Sequence, residues 1–329
     1  MRPARSSVSL LVGALAVSTL VVGGGGAAGA APAPGPTASG VSRPGTMTEV
    51  RVGTPLSVPS VVPAEARRAD RPATATFTVT YSGFTPAAKA AFQRAVNIWA
   101  GQLNSSVPVT VAASFEPLGP GVLGSAGPSS VWRDFAGAPQ AGTWYVDAVA
   151  NKRRGSQLDP SPDIVARFSS NFSNWHYGTG PAPTGKYDFT SVVLHELGHG
   201  VGFIGAANVS SNRGTVRLSG YPLAYSRYTE TNTGTKLLGL PDNSTQLAGV
   251  LRGNNVYFDS PKVRNANGGA TARLYAPSTW QPGSSYSHLD ESTYRAGDVN
   301  SLMTPQIGSG ETIRNPGPIT KAVLLTTGW

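Results

Sequence analysis

One stretch, Val192-Val193-Leu194-His195-Glu196-Leu197-Gly198-His199-Gly200-Val201-Gly202-Phe203, constrains this chain more than any other. Side chains four apart on a helix leave the same face, one turn above the other. His195 and His199 therefore present two imidazoles to a single metal ion. Glu196 follows the first ligand directly and is placed to hold a proton beside a metal-bound water, the arrangement in which a His-Glu-Xaa-Xaa-His helix binds zinc. The same spacing arises by chance on ordinary amphipathic helices, where the histidines are merely solvated. Here Phe189 to Leu194 is apolar enough to begin a buried helix, and Gly198, Gly200, Gly202 and Gly205 follow closely. Each glycine costs a helix about 1 kcal/mol relative to alanine. Their density points to close backbone approach and a sharp exit from the helix.

The chain that carries this stretch has 329 residues, enough for one large domain or two modest ones. Arg2 and Arg5, the apolar run Val8 to Val22 and the small residues Ala28-Gly29-Ala30 have the form of a secretory signal peptide cleaved after Ala30. A membrane anchor is the competing reading, but the apolar run is short for a span and dissolves into Gly23 to Gly26. Export to the extracellular space is expected, with no stable membrane insertion. The sequence contains no cysteine. Thiol catalysis and cysteine-ligated metals are excluded, and an exported chain of this kind is held by its core and its metal. The net charge is +9, of which residues 1–72 contribute +4 from seven basic and three acidic side chains. Beyond Lys152-Arg153-Arg154 there is no dense basic run, so no nucleic-acid partner is expected.

Residues 31–72 are rich in Pro, Ala, Ser, Thr and Arg and read as a flexible linker or pro-segment. Thr76 to Tyr81 alternates as a strand, and Thr85-Pro86 opens a helix through about Leu103 with Ala88, Phe92, Val96 and Trp99 at helical spacing. Val107 to Phe115, Thr143 to Val149 and Asp163 to Ser169 read as strands, whereas the Gly/Pro-rich residues 119–142 carry no clear pattern. Beyond Gly205 lies a long Asn/Ser/Gly-rich tract with strand signals at Asn254 to Asp259 and Ala270 to Tyr275. His176 stands in a loop before the metal-binding helix, where a histidine is most often solvated.

Two histidines and a water leave a tetrahedral zinc one ligand short. The long zinc signature of metzincins places a third histidine where this chain has Gly205, so the ligand comes from elsewhere. The chain has four histidines: 176, 195, 199 and 288. His288 lies in Tyr286-Ser287-His288-Leu289-Asp290-Glu291 and is followed by Asn300-Ser301-Leu302-Met303-Thr304-Pro305, which resembles the methionine turn of metzincins. Pro316-Gly317-Pro318 then opens a final apolar helix. A long insertion before the distant histidine, a Met-Xaa-Pro turn and a short terminal helix resemble the leishmanolysin family, as does the block His199 to Gly205. The likeness covers the metal-binding helix and roughly the last forty residues, and residues 73–190 only in the order of elements.

The resemblance implies His195, His199 and His288 as ligands of one catalytic zinc, Glu196 as general base and Met303 beneath the metal. Glu230 is the first downstream carboxylate that a thermolysin-like arrangement would use, but its surroundings read as a turn or strand. Asp290 and Glu291 are near His288, and neutral imidazole suits zinc better. The implied fold is α+β, a metzincin-like two-lobed zinc peptidase. A twisted mixed sheet, two helices and the metal-binding helix's exit form an N-lobe over 73–205, and an irregular C-lobe spans 206–329. The implied function is that of a secreted, monomeric zinc-dependent endopeptidase acting on extracellular proteins or peptides. The alternative is a non-catalytic zinc-binding envelope or adhesion protein on the same scaffold. Leishmanolysins are cysteine-rich and this chain is not, so latency through a cysteine does not carry over; residues 31–72, if inhibitory, act through another group or by steric cover.

Overall fold

Local signals build the first layer of the fold. In the computed structural model, which describes residues 40–65 and 75–329, the Thr85 side chain accepts from the amide of Ala88 and caps a helix over Pro86–Gln102 (α1). Ala88, Ala91, Phe92, Ala95, Val96 and Trp99 form its buried stripe, at the spacing of one helix face. The expected leader, 1–30, lies outside the described residues. Strands Phe77–Ser82 (β4) and Val109–Glu116 (β5) flank α1, and Ile164–Ser169 (β9) follows later. Three parallel-paired strands, β4, β5 and β9, thus come from the stretches with alternating or apolar patterns.

The rest of the main sheet comes from less legible sequence. Val122–Pro128 (β6) runs antiparallel to β9 inside residues 119–142, and is buried along most of its length, so it shows no alternation. Beyond β6 lies Thr48–Val52 (β2), and beyond that Gln306–Ile307, giving the six-stranded order Gln306–Ile307, β2, β6, β9, β5, β4. The fold is therefore α+β around a mixed sheet. Val41–Pro44 (β1) pairs with Ser130–Arg133 (β7), which pairs with Tyr145–Val146 (β8). Ser60–Val62 (β3) runs parallel to Glu311–Ile313. Three strands, β1 to β3, thus fall in the stretch that reads as a linker or pro-segment. Their partners lie more than sixty residues away, beyond the reach of local pattern.

Thr143 to Val149 is strand only at β8; from Asp147 the chain is helical through Arg154 (α2), a third helix where two were expected before Gly205. Asp147 in the first turn, Lys152-Arg153-Arg154 in the last, and Gly155 in the left-handed conformation at the end favour helix over strand. The basic run is thus a helix terminus, and Lys152 and Arg153 both donate to the carbonyl of Gly328.

The helix Phe189–Gly200 (α3) carries the two spaced histidines and is buried at every position. Asp188 caps it by accepting from the amide of Ser191 at 2.7 Å. Arg314 grips the same carboxylate with two nitrogens, at 2.5 and 2.8 Å. The Ser191 hydroxyl accepts from the amide of Ile313 at 2.7 Å. The start of α3 is thereby fixed to the Glu311–Ile313 strand. On its other flank the Trp99 indole donates to the Leu194 carbonyl at 2.8 Å, and Thr190 to that of Ala91 at 3.1 Å. After residue 205 the chain forms short ladders, in which Tyr257–Phe258 pairs with Thr229–Glu230 on one side and with Ala272–Arg273 on the other; Tyr257–Phe258 and Ala272–Arg273 fall inside the strand signals read there. Ser301–Met303 makes a single 3₁₀ turn, and Pro318–Thr327 is the terminal helix.

Candidate metal centre

His195 and His199 extend from one face of α3, and His288 arrives from the segment after Tyr286. Their Nε2 atoms converge, 2.9 Å apart for His195 and His199 and 3.1 Å for each of the other two pairs. The three side chains are buried, at 2%, 0% and 0% exposure. Each ring is held from behind by a backbone carbonyl. His195 Nδ1 lies 2.6 Å from Leu302 O, His199 Nδ1 2.8 Å from Phe203 O, and His288 Nδ1 2.6 Å from Ser284 O. A carbonyl can only accept, so each Nδ1 carries the hydrogen and each Nε2 turns a lone pair towards the common centre.

Three lone pairs facing one another in a buried space repel, and a cation relieves this. Nitrogens at about 2.0–2.1 Å from a tetrahedral zinc stand about 3.3 Å apart, so the observed triangle needs to open by about 0.3 Å. Burial pushes His195 down to about 4 and holds His199 and His288 well below the ordinary imidazole value, so the rings are neutral, as metal ligands must be. Among the described residues this is the one group of three or more His, Asp and Glu side chains close enough to share an ion. A buried three-histidine donor set suits zinc and divalent metals of similar ligand preference.

Glu196 is fully buried against β6. A Cβ on Gly124 would come within 2.9 Å of Glu196 Cγ and 3.1 Å of its Oε1, so the glycine in β6 makes room for this carboxylate. Oε1 accepts from the amide of Val50 at 3.0 Å, and Oε2 has no hydrogen-bond partner. Burial raises Glu196 well above the usual carboxylate range; the Val50 amide opposes this, the Glu49 carboxylate adds to it, and the Ala126 amide again opposes it. An unpaired oxygen on a buried carboxylate is costly unless something uses it. It directly follows His195 and stands about one turn before His199 on the same helix.

Met303 lies under α3. A Cβ on Gly198 would meet Met303 Sδ at 2.8 Å and Trp99 Cζ2 at 3.3 Å, so this glycine admits the sulfur against the helix backbone. The turn also serves two ligands, since Leu302 O orients His195 and Met303 O accepts from the amide of Leu289, beside His288. Gly205, where the longer signature has its third histidine, has no space for any side chain. A Cβ there would lie 2.1 Å from Tyr286 Cε1, because that ring fills the position and its chain delivers His288 two residues later. Gly202 takes φ +125° at the helix exit.

The other candidates lie elsewhere. His176 Nε2 sits 3.1 Å from Gly180 O and does not join the triad. Glu230 pairs with Lys236, and Asp290 accepts from Ser292 and Thr293. The supporting groups that sequence reading missed are mainly backbone atoms: three carbonyls behind the imidazoles and the Val50 amide before Glu196. Asp188 directly before the helix is the exception, since a cap residue there is a readable signal. The chain matches no family model, no curated protein and no solved structure.

Proposed function

We propose that this protein is a secreted zinc-dependent endopeptidase of the metzincin type, similar to leishmanolysins, acting on extracellular proteins or peptides. The observation that carries this reading is the pairing of three convergent imidazole lone pairs with a buried carboxylate, Glu196, one of whose oxygens has no partner. His195, His199 and His288 would hold zinc, which would supply Lewis acidity for a water and a scissile carbonyl. Glu196 takes the proton from the attacking water and delivers it to the departing amine. Its burial keeps the carboxylate poorly solvated, which makes it a stronger base than a surface glutamate. Leu302, Phe203 and Ser284 keep the ligand rings in the tautomer that leaves Nε2 free. An intact general base favours catalysis over a purely adhesive role.

The test is cleavage of casein by the purified protein beside Glu196→Ala, with zinc content measured in both. The reading requires turnover that depends on Glu196 while zinc remains near one equivalent in each. An active Glu196→Ala protein holding zinc would overturn the assignment of the base.

A further inference from the structure

The exit of α3 is where the His199 ring is held. Phe203 N donates to Gly198 O and Gly202 N to His199 O, each at 3.0 Å, with Gly202 at φ +125°. These are the two crossed bonds of a Schellman motif, which closes a helix end over its own carbonyls. The same bend brings Phe203 O to 2.8 Å from His199 Nδ1. The Val201 carbonyl is one of those that a helix end leaves without an intrahelical donor, and the Trp329 indole donates to it at 2.5 Å.

Val201 O and Gly202 N–H belong to one peptide group, and the plane of a trans peptide points them to opposite sides. Trp329 holds one end of this plane and His199 O the other. The hold matters because glycine adopts φ of either sign without a steric penalty. Residue 202 therefore offers no resistance of its own to a half-turn of the plane. Such a turn would break the Gly202–His199 bond and loosen the bend that presents Phe203 O to the ring.

Trp329 is itself anchored. Gly328 N and Trp329 N both donate to Leu324 O, at 3.1 and 3.0 Å, so the chain curls over the end of the terminal helix. A Cβ on Gly328 would lie 2.5 Å from Val149 Cγ1, so glycine lets this curl rest on α2. Arg153 Nε and Lys152 Nζ then donate to Gly328 O at 2.7 and 3.2 Å, and the Lys152 ammonium stands 5.4 Å from the Trp329 ring centroid, within cation–π range. The indole is 8% exposed. A phenylalanine would serve the packing alone, whereas a buried indole N–H needs an acceptor, and the acceptor here is at the exit of the metal-binding helix.

We infer that Trp329 is a positioning residue of the metal centre, whose indole N–H pins the Val201–Gly202 peptide and so keeps Phe203 O behind His199. This rests on His195, His199 and His288 holding zinc, as in the peptidase reading above. Groups that orient a ligand directly change metal affinity about 10–100-fold. Trp329 acts one step further out, which places its effect at the low end, about tenfold.

The test uses the zinc-loaded full chain, unaltered and as Trp329→Phe, Trp329→3-benzothienylalanine and Trp175→Phe. The benzothienyl side chain replaces the N–H by sulfur at nearly the same shape, and it decides the matter should Trp329→Phe fail to fold. Trp175 is the control, since its buried indole donates to Ser169 O at 2.9 Å, away from the helix exit. Zinc release to a chromogenic chelator is measured together with exchange of the three ligand Nδ1 protons, by NMR of protein labelled with ¹⁵N-histidine. Thermal unfolding and casein cleavage complete the set. Both Trp329 variants should release zinc about tenfold faster than the unaltered chain. Their His199 Nδ1 proton should exchange at least tenfold faster, while those of His195 and His288 keep the parent's rates. Trp175→Phe should unfold at a lower temperature and change neither zinc release nor any of the three protons. Zinc release at the parent's rate in the benzothienyl variant, or equal acceleration of all three Nδ1 protons, would overturn the positioning role. The expected zinc and proton results, without casein cleavage by the unaltered chain, would uphold Trp329 and overturn the peptidase reading alone. An unaltered chain that binds no zinc would overturn both.

Discussion

Replacing Gly205 by alanine tests whether Tyr286 is the reason that the third ligand comes from so far away. The added methyl would sit 2.1 Å from Tyr286 Cε1, 2.7 Å from its Cδ1 and 3.1 Å from Tyr225 Cδ1. Carbon atoms pack at about 3.5–4.0 Å, so the nearest contact overlaps by about 1.5 Å. Neither ring has an easy retreat. Both are 1% exposed, the Tyr286 hydroxyl bonds Thr229 at 2.9 Å, and the Tyr225 hydroxyl donates to Tyr286 O at 3.1 Å. Overpacking of this kind costs about 1–3 kcal/mol. For a domain of this size, each kcal/mol lowers Tm by about 2–4 °C, giving a fall of roughly 2–12 °C. Because Tyr286 leads into His288, Gly205→Ala should also release zinc faster to a chelator, which a remote loss of stability would not produce. The control is Gly249→Ala, in the helix Thr245–Leu251 with nothing within 4 Å of the new methyl; it should gain about 0.5–1 kcal/mol. Thermal unfolding with and without chelator, and zinc release followed by a chromogenic chelator, provide the readings. A Gly205→Ala protein with the parent's Tm and the parent's release rate would refute the argument.

Three further outcomes follow from the same geometry. His288→Ala should lower zinc affinity by at least a hundredfold, measured by chelator competition, while His176→Ala should leave it unchanged. Arg314→Met would strand the buried Asp188 carboxylate beneath the start of α3; breaking such a pair costs about 3–5 kcal/mol, read as a lower midpoint in urea, and Asp188→Asn in the same chain should recover part of it. Burial pushes Asp147 up to about 8, with the Asp163 and Asp159 carboxylates adding to the rise. The folded chain then binds the extra proton between about pH 4 and pH 8, so stability falls as pH rises through that window. Asp147→Asn should flatten this slope by up to about 1.4 kcal/mol per pH unit, seen in urea titrations at pH 5 and pH 8.

What could be read in advance was local. Thr85-Pro86 and the stripe from Ala88 to Trp99 define α1 within a few neighbouring residues, and the His195–His199 spacing requires only one helix. The Met303 turn and the terminal helix are also short-range signals. β2 and β6 were illegible for a different reason. β6 is glycine- and alanine-rich and buried on both faces, so it does not alternate, whereas β2 alternates over only five residues inside a polar, proline-bearing stretch. Their order is a property of the pairing itself. The Val50 amide and Glu196 are separated by 146 positions, and the carbonyls behind the three histidines have no side-chain signature. His288 was reachable only because histidines are scarce and a turn follows it.

The seat of β2 has a consequence for the protein in concentrated solution. While it is in place, β6 pairs on both sides, and the sheet on that flank ends in the two-residue strand Gln306–Ile307. Vacating the slot would turn the seven residues of β6 into a bare rim, low in charge and rich in glycine and alanine. Such rims recruit extended chains indiscriminately, a second copy included. No disulfide limits how far neighbouring segments can part around it. The seat of β2 is thus also a colloidal safeguard, and a variant in which β2 cannot pair should self-associate at concentrations where the unaltered chain does not.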